Sequence, residues 1–294
     1  MTAAIASPST RALAGRKGID IDALADELGR ETIAKEDLDR KAGDKPSAAA
    51  DGTSYWDVDH SAFGPVTEEP MSRFAQVASA NLAAAQALIP AVTHHDRADM
   101  SAIETFRATL KEEGRARGGK LTALAFQVRA LARTLRDFPR FNASLSPDGK
   151  TLIMKHFVHI GIAVDTPRGL LVPVIRDADR KGLWAIAAEI ADLAGRAKDR
   201  KVRPEEMGGA SMSITNLGSI GGTAFTPIVN PPELAILGIT RAEIAPVWDG
   251  DTFQPVPMAP LDLSYDHRVI NGADAARFLA QFARLLADPR RMLI

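Results

Sequence analysis

The chain has 294 residues, of which 46% are hydrophobic, enough for a large core in about two domains. A formal net charge of −1 provides no overall field that would attract nucleic acid or a membrane surface. The absence of cysteine excludes disulfides, thiolate metal sites and cysteine nucleophiles. No run of about 18 apolar residues appears and residues 1–8 lack a signal-peptide pattern, so we expect a soluble, cytoplasmic protein without a membrane partner.

The beginning of the chain predicts a small helical module and a linker. Ser7 caps one helix start, and residues 32–38 start a second helix, so residues 6–42 predict a two-helix domain. A piece of about 40 residues has a marginal core, which favours a docking module that gains order from a partner. Residues 43–54 are small, polar and rich in turn formers, as is typical of a flexible linker.

Residues 55–294 alternate between helical and strand patterns. Apolar stripes predict helices at residues 72–89, 121–138, 183–198 and 273–286. Apolar or alternating runs predict strands at residues 156–164, 170–175, 211–215, 234–240 and 261–265. Strands and helices do not repeat with a fixed period, so the pattern favours an α/β fold with a mixed sheet over a doubly wound parallel sheet.

Three local patterns imitate ligand sites but have simpler explanations. Residues 114–120 nearly form a phosphate loop, but Leu121 occupies its Ser/Thr position and a helix precedes it. His94 and His95 are adjacent and point to opposite sides of an extended chain, so they do not converge on a metal. The basic residues 196–201 end a helix, where cations complement the helix dipole. We therefore predict no metal site and no nucleic-acid partner.

The clearest functional signal lies in residues 261–272, where a strand brings His267 to a turn before the last helix. Apolar and polar residues alternate along this strand, which predicts one buried and one exposed face. A second strand, residues 211–215, carries hydroxyls into a glycine-rich turn.

A histidine and a hydroxyl at strand ends support two chemistries. Either the hydroxyl is a nucleophile with His267 as its base, or His267 deprotonates the substrate's own nucleophile while the hydroxyl donates to an oxyanion. The first chemistry has less support, because the sequence contains no Gly-x-Ser-x-Gly elbow and no identifiable acid to orient the histidine. A third interpretation keeps His267 as a structural histidine.

Residues 267–272, His-Arg-Val-Ile-Asn-Gly, resemble the His-x-x-x-Asp-Gly motif of the dihydrolipoamide acyltransferases, the core subunits of 2-oxo acid dehydrogenase complexes. Residues 159–175 and 213–230 also resemble this family, most closely its acetyl-transferring, pyruvate-type members. The resemblance spans residues 55–294 and implies an α/β fold like that of chloramphenicol acetyltransferase. Residues 6–42 resemble, more weakly, the peripheral-subunit-binding domain of the same enzymes.

The resemblance implies roles for six residues. His267 would be the general base on the thiol of dihydrolipoamide or coenzyme A, and Thr215 would donate to the oxyanion across a trimer interface. Asn271 stands where the motif usually has Asp, and would organise the site because an amide forms hydrogen bonds without charge. Three residues would line the acyl and coenzyme A channel, namely Arg107, Phe225 and Tyr265.

The resemblance also implies partners. Coenzyme A would be a substrate, and the lipoyl group would come from another domain or subunit because no lipoyl domain precedes residues 6–42. A homotrimer would assemble into a larger core, with a 24-mer favoured. Residues 6–42 would bind decarboxylase or dihydrolipoamide dehydrogenase subunits, although Thr32 replaces an arginine of relatives. Asn271, the altered module and the missing lipoyl domain motivate one alternative, a non-catalytic core or docking subunit. A weaker alternative is a free-standing acyltransferase like the chloramphenicol enzyme.

Overall fold

The computed structural model describes residues 4–41, 58–167 and 169–293, and the chain divides into two compact units, Met1–Pro70 and Met71–Ile294. The predicted linker at residues 43–54 lies outside the described residues. The predicted domain limits remain predictions.

The first unit contains three short helices, α1 (Pro8–Lys17), α2 (Ile21–Leu28) and α3 (Lys35–Lys41). The two-helix prediction missed α2, an eight-residue helix that Asp20 caps by accepting from the backbone N–H groups of its first turn. A small apolar cluster that includes Leu24, Ile33 and Leu38 holds this unit together.

The second unit contains both long helices and a large sheet. Its helices are α4 (Arg73–Leu88), α5 (Ser101–Thr109), α6 (Lys111–Ala116), α7 (Ala123–Asp137), α8 (Leu183–Lys198) and α9 (Gly272–Ala287). Its strands are β1 (Ala91–Asp99), β2 (Ala143–Leu145), β3 (Leu152–Met154), β4 (Ile160–Ile162), β5 (Val164–Thr166), β6 (Gly169–Leu171), β7 (Val174–Ile175), β8 (Met212–Asn216), β9 (Ala235–Ile239), β10 (Glu243–Trp248) and β11 (Phe253–Asp266).

Within the described residues, seven strands form the main sheet in the order β1-β11-β9-β8-β4-β7, and β10 pairs with the other end of β11. Strand β8 runs parallel to β4 and β9, whereas the remaining pairs are antiparallel. The predicted mixed α/β architecture is therefore confirmed. The sequence patterns missed β1 and β10 and found only the last part of β11.

One face of the sheet packs against the long helices. Leu261 and Leu263 of β11 belong to the same buried cluster as Phe126 of α7 and Phe278 of α9. Burial of each such side chain contributes roughly 1.5–3 kcal/mol, so this face supplies much of the stability.

The opposite face of β11 is also buried, so the expectation of one exposed face is wrong. Asp262, Ser264 and Asp266 are each 1% exposed. Each polar group has a partner, because Asp262 binds His95, Ser264 binds the Thr93 hydroxyl at 2.8 Å, and Asp266 binds Arg268. Polar alternation here marks a hydrogen-bonded buried layer and not a solvent-exposed surface.

We expect Gly161→Ala to lower the free energy of unfolding by roughly 1–3 kcal/mol. A Cβ at Gly161 would lie 2.4 Å from Ser213 Oγ and 2.9 Å from Val172 Cγ1, inside the sheet. Gly195→Ala, in helix α8 with no atom within 4 Å of the added Cβ, is the control and should stabilise by about 0.5–1 kcal/mol. Denaturant titration measures both, and equal effects would contradict the packing argument.

Candidate functional site

The turn after β11 is built around the Asp266 carboxylate. This carboxylate accepts from the Arg268 backbone N–H at 3.0 Å and from Arg268 Nε and Nη2 at 2.9 and 2.6 Å. The Asp266 carbonyl accepts from the N–H groups of Val269 and Ile270. Hydrogen bonding to the carboxylate raises the pKa of Arg268. Asp266 is a functional residue that the sequence patterns did not indicate, although an Asp side chain that accepts from the backbone two residues later is typical of such a turn.

His267 projects from this turn with an exposed side chain. Its backbone N–H donates to the Pro90 carbonyl at 3.2 Å, and its ring lies 5.7 Å from the Tyr265 ring, tilted by 34°. Among the described residues of the same chain, none forms a hydrogen bond with the imidazole. Both ring nitrogens are therefore available for proton transfer with a ligand.

Tyr265 is 2% exposed and lies beneath the turn. A Cβ on Gly272 would lie 3.8 Å from the Tyr265 hydroxyl oxygen, so the ring reaches the start of α9. Burial raises the pKa of Tyr265, which keeps its hydroxyl protonated. Its predicted place in the acyl and coenzyme A channel remains a prediction.

Asn271 is the N-cap of helix α9. Its side-chain Oδ1 accepts from the Asp274 backbone N–H at 2.9 Å, which satisfies one of the unpaired donors of the first turn. The residue therefore links the His267 turn to the helix that follows.

Three hydroxyls alternate along the chain here, Ser211 just before β8 and Ser213 and Thr215 within it. Ser211 is fully buried; it accepts from the His159 N–H at 3.0 Å and donates to the Phe157 carbonyl at 3.3 Å. Ser213 is 1% exposed and donates to Glu233 at 3.0 Å, a carboxyl whose pKa burial raises. Thr215 is partly exposed, and its hydroxyl has no hydrogen-bond partner in the described part of the chain. Of the three, Thr215 is the one able to donate to a ligand.

Thr215 and His267 lie far apart within one chain. Thr215 pairs with Gly238 of β9, and Gly238 pairs with Asp262 of β11, five residues before His267. With about 3.3 Å per residue along a strand and about 4.8 Å between strands, roughly 15–20 Å separates them. The structure does not bring these two predicted site residues together in a single chain.

Phe225 packs over Gly238, the residue that pairs with Thr215. A Cβ on Gly238 would lie 2.6 Å from Phe225 Cζ, so the ring packs directly on the strand that separates Thr215 from Asp262. The Phe225 backbone N–H donates to Asp262 Oδ2 at 3.3 Å.

Arg107 lines a basic cavity of about 390 Å³ on the outside of the unit. Arg107 Nη1 binds both carboxylate oxygens of Glu104, at 2.5 and 2.6 Å, and its Nε donates to the Leu121 carbonyl at 3.0 Å. The other cations that line the cavity are Lys111, Arg115 and Lys120. Leu121 lies two residues before α7, and Gln127 of α7 accepts a hydrogen bond from Asn216, the residue that follows Thr215 in β8.

Within the described residues, no three His, Asp or Glu side chains are grouped so that they could hold a metal ion. None of the helices in the described ranges is long and apolar enough to cross a membrane.

The model of the 2-oxoacid dehydrogenases acyltransferase (catalytic domain) family matches residues 63–294. The dihydrolipoyllysine-residue acetyltransferase component of the pyruvate dehydrogenase complex from Pseudomonas aeruginosa is 47% identical over 299 residues, which cover 98% of this chain and 55% of the relative. The same component from Azotobacter vinelandii is also 47% identical, over 98% of this chain and 47% of its own length. The chain thus spans about half the length of these relatives.

Two solved structures are similar over 81% of this chain and 98% of theirs, each with 51% identity and a TM-score of 0.79. One comes from crystallographic and enzymatic work on a serine, a histidine and an asparagine in the catalytic mechanism of the Azotobacter vinelandii dihydrolipoamide acetyltransferase. That serine precedes the histidine by 52 residues, and the asparagine follows it by 4. The other is the cubic core of the pyruvate dehydrogenase multienzyme complex.

The family match covers most of the chain, and the similar structures share its mixed sheet and helices. The chain therefore belongs to the 2-oxoacid dehydrogenase acyltransferase family.

Proposed function

We propose that this protein transfers an acetyl group between dihydrolipoamide and coenzyme A, with His267 as general base and Thr215 of a neighbouring copy as oxyanion donor. The observation that carries the proposal is the exposed, uncommitted imidazole of His267 on a turn closed by Asp266. The spacing supports it, because Thr215, His267 and Asn271 repeat the separations of 52 and 4 residues found in the Azotobacter vinelandii enzyme.

The chemistry follows from the properties of thiols. A thiol with a pKa of about 8.5 is mostly protonated at neutral pH, so a base must take its proton before it attacks. His267 accepts this proton, and the sulfur forms a bond to the thioester carbonyl carbon. The Thr215 hydroxyl donates to the resulting oxyanion. When the intermediate collapses, the other sulfur leaves and takes the proton back from the imidazolium, so the base is regenerated.

A trimer would complete the site. His267 and Thr215 are too far apart in one chain to act on the same carbonyl, so a second copy must supply one of them. Helix α4 supports such an assembly because its apolar side chains are exposed, with Phe74 at 42%, Val77 at 54% and Leu88 at 68%. These side chains are suited to contact another copy of the chain.

We also propose that the trimers assemble into a larger core. Leu293 is 83% exposed and lies at the edge of an apolar cavity of about 820 Å³ that Phe106, Leu183 and Met292 also line. The C-terminal residues of one trimer and this cavity on another would form the contact between trimers. We favour a 24-mer because a similar structure is a cubic core.

The remaining assignments concern ligands and partners. We infer that the basic cavity around Arg107 receives phosphate groups of coenzyme A, since guanidinium and ammonium groups bind phosphate strongly. Phe225 would line the acyl group's path to Thr215.

The lipoyl group would come from another domain or subunit, and residues 6–42 would dock decarboxylase or dihydrolipoamide dehydrogenase subunits. The relatives' membership of bacterial pyruvate dehydrogenase complexes favours a cytoplasmic location.

We expect His267→Ala to slow acetyl transfer from acetyl-coenzyme A to free dihydrolipoamide by roughly 10²–10⁴-fold. Thr215→Ala should slow it by about 10²–10³-fold, and Thr215→Ser should retain most of the rate because it keeps the hydroxyl. Exposed His156 of the same unit provides the control variant, His156→Ala, with an unchanged rate. A normal rate for His267→Ala would instead favour a non-catalytic core subunit.

Mixed assemblies should show that the site is shared between subunits. If His267→Ala and Thr215→Ala chains are co-expressed with different tags, about one quarter of the interfaces in random cyclic trimers pair an intact His267 with an intact Thr215. Every cyclic trimer that contains both variants has one such interface out of three, so mixed trimers isolated through both tags should recover about one third of the wild-type rate. Activity no higher than that of the separate variants would mean that the two residues do not meet between copies.

Asn271→Asp should preserve both the rate and the stability, because Asp and Asn are similarly good N-caps. Asn271→Ala removes the acceptor for the Asp274 N–H and should cost about 1 kcal/mol of unfolding free energy. Thermal unfolding and the acetyl-transfer assay test the pair of variants. A large loss of rate in Asn271→Asp would show that the amide has a role beyond the cap.

A further inference from the structure

The His95–Asp262 pair lies on the buried polar face of the sheet, outside the turn that holds His267. His95 Nδ1 lies 2.6 Å from Asp262 Oδ1. The Asp262 side chain is 1% exposed and the His95 side chain is 50% exposed. Because a carboxylate only accepts, His95 Nδ1 carries the proton in this bond. No Lys or Arg in the described part of the chain forms an ion pair with Asp262, so His95 is its stabilising partner.

The second carboxylate oxygen of Asp262 forms a hydrogen bond with a different part of the chain. Oδ2 accepts from the backbone N–H of Phe225 at 3.3 Å. Residues 222–229 form neither helix nor strand, and this is the one hydrogen bond that the described structure shows for them. The carboxylate is thus the polar anchor of an otherwise irregular segment.

This anchor fixes a ring next to Thr215. The Phe225 ring occupies the space over Gly238 that a side chain would fill, and Gly238 pairs directly with Thr215. Directly paired residues face the same side of a sheet, so the ring and the Thr215 hydroxyl border the same space. An acyl group bound at this hydroxyl would therefore lie next to the ring.

We propose that Asp262, held by His95, is a positioning residue that fixes Phe225 beside Thr215 and thereby limits the size of the acyl group that the site accepts. The limit on acyl size rests on the proposed function. The anchoring of residues 222–229 does not, because it concerns the protein alone.

Amide hydrogen exchange tests the anchoring in the assembled wild-type protein. The Phe225 amide should exchange at least about tenfold more slowly than the other amides of residues 222–229, since only it donates to a buried carboxylate. Asp262→Ala should remove this protection. Asp262→Asn should retain it, because the amide oxygen still accepts from Phe225 while the amide nitrogen donates to His95. Equal exchange across the segment in the wild type would overturn the proposal even if Asp262→Ala does not fold.

The matched control is Thr93→Val. It removes the 2.8 Å bond between Thr93 and Ser264, which joins the same two strands on the same face, two residues away from the His95–Asp262 pair. Exchange of residues 222–229 should not change in this variant. An equal loss of protection in Thr93→Val and Asp262→Ala would show a general loosening of the sheet, which would overturn the proposal.

Acyl transfer tests the size limit. Asp262→Ala should reduce the preference for acetyl- over propionyl-coenzyme A in kcat/KM by about tenfold, whereas Thr93→Val should leave the preference unchanged. In a Phe225→Ala background, Asp262→Ala should cause no further change in this ratio, because it acts through the ring. Independent, additive effects would overturn the proposal. If the wild type transfers neither acyl group, the proposed function and the size limit both fail, while hydrogen exchange still decides the anchoring.

Discussion

A buried carboxylate at the end of the longest strand holds the candidate site in place. Asp266 binds its own turn through the Arg268 side chain and backbone, and its carbonyl accepts two further N–H groups. A charge-assisted, bidentate contact is stronger and more directional than a neutral hydrogen bond. The turn that this contact closes carries His267, and Asn271 then caps the start of α9.

The same principle operates at two further points on the polar face of the main sheet. Its buried side chains pair across neighbouring strands, as Thr93 does with Ser264 and His95 with Asp262. Each unpaired group would cost about 1–3 kcal/mol, so the pairs specify register as well as stability. Against this background the uncommitted hydroxyl of Thr215 stands out as a group available for a ligand.

Sequence patterns predicted the long helices and the central strands because each has a clear apolar period. They missed β1, where charged and polar residues dominate, and they misjudged the second face of β11, whose cover comes from residues distant in the chain. His267 was found from its place between a strand and a helix. The proposal that it acts with Thr215 came only from the family resemblance, since spacing along a chain does not reveal which residues would meet between copies. The Asp266 turn has a local signal in the sequence, whereas the contacts of Asp262 with His95 and Phe225 join residues that are distant in the chain.

The distance between Thr215 and His267 has a consequence for how this protein behaves at low concentration. Under the proposed mechanism a dissociated chain retains a complete fold but only half of the chemistry, so specific activity becomes a function of protein concentration. Dilution would lower the specific activity because the subunits separate, although each chain stays folded. A chain that lacks both residues but still assembles would inactivate two interfaces, one through His267 and one through Thr215, so activity would fall faster than the fraction of intact chains.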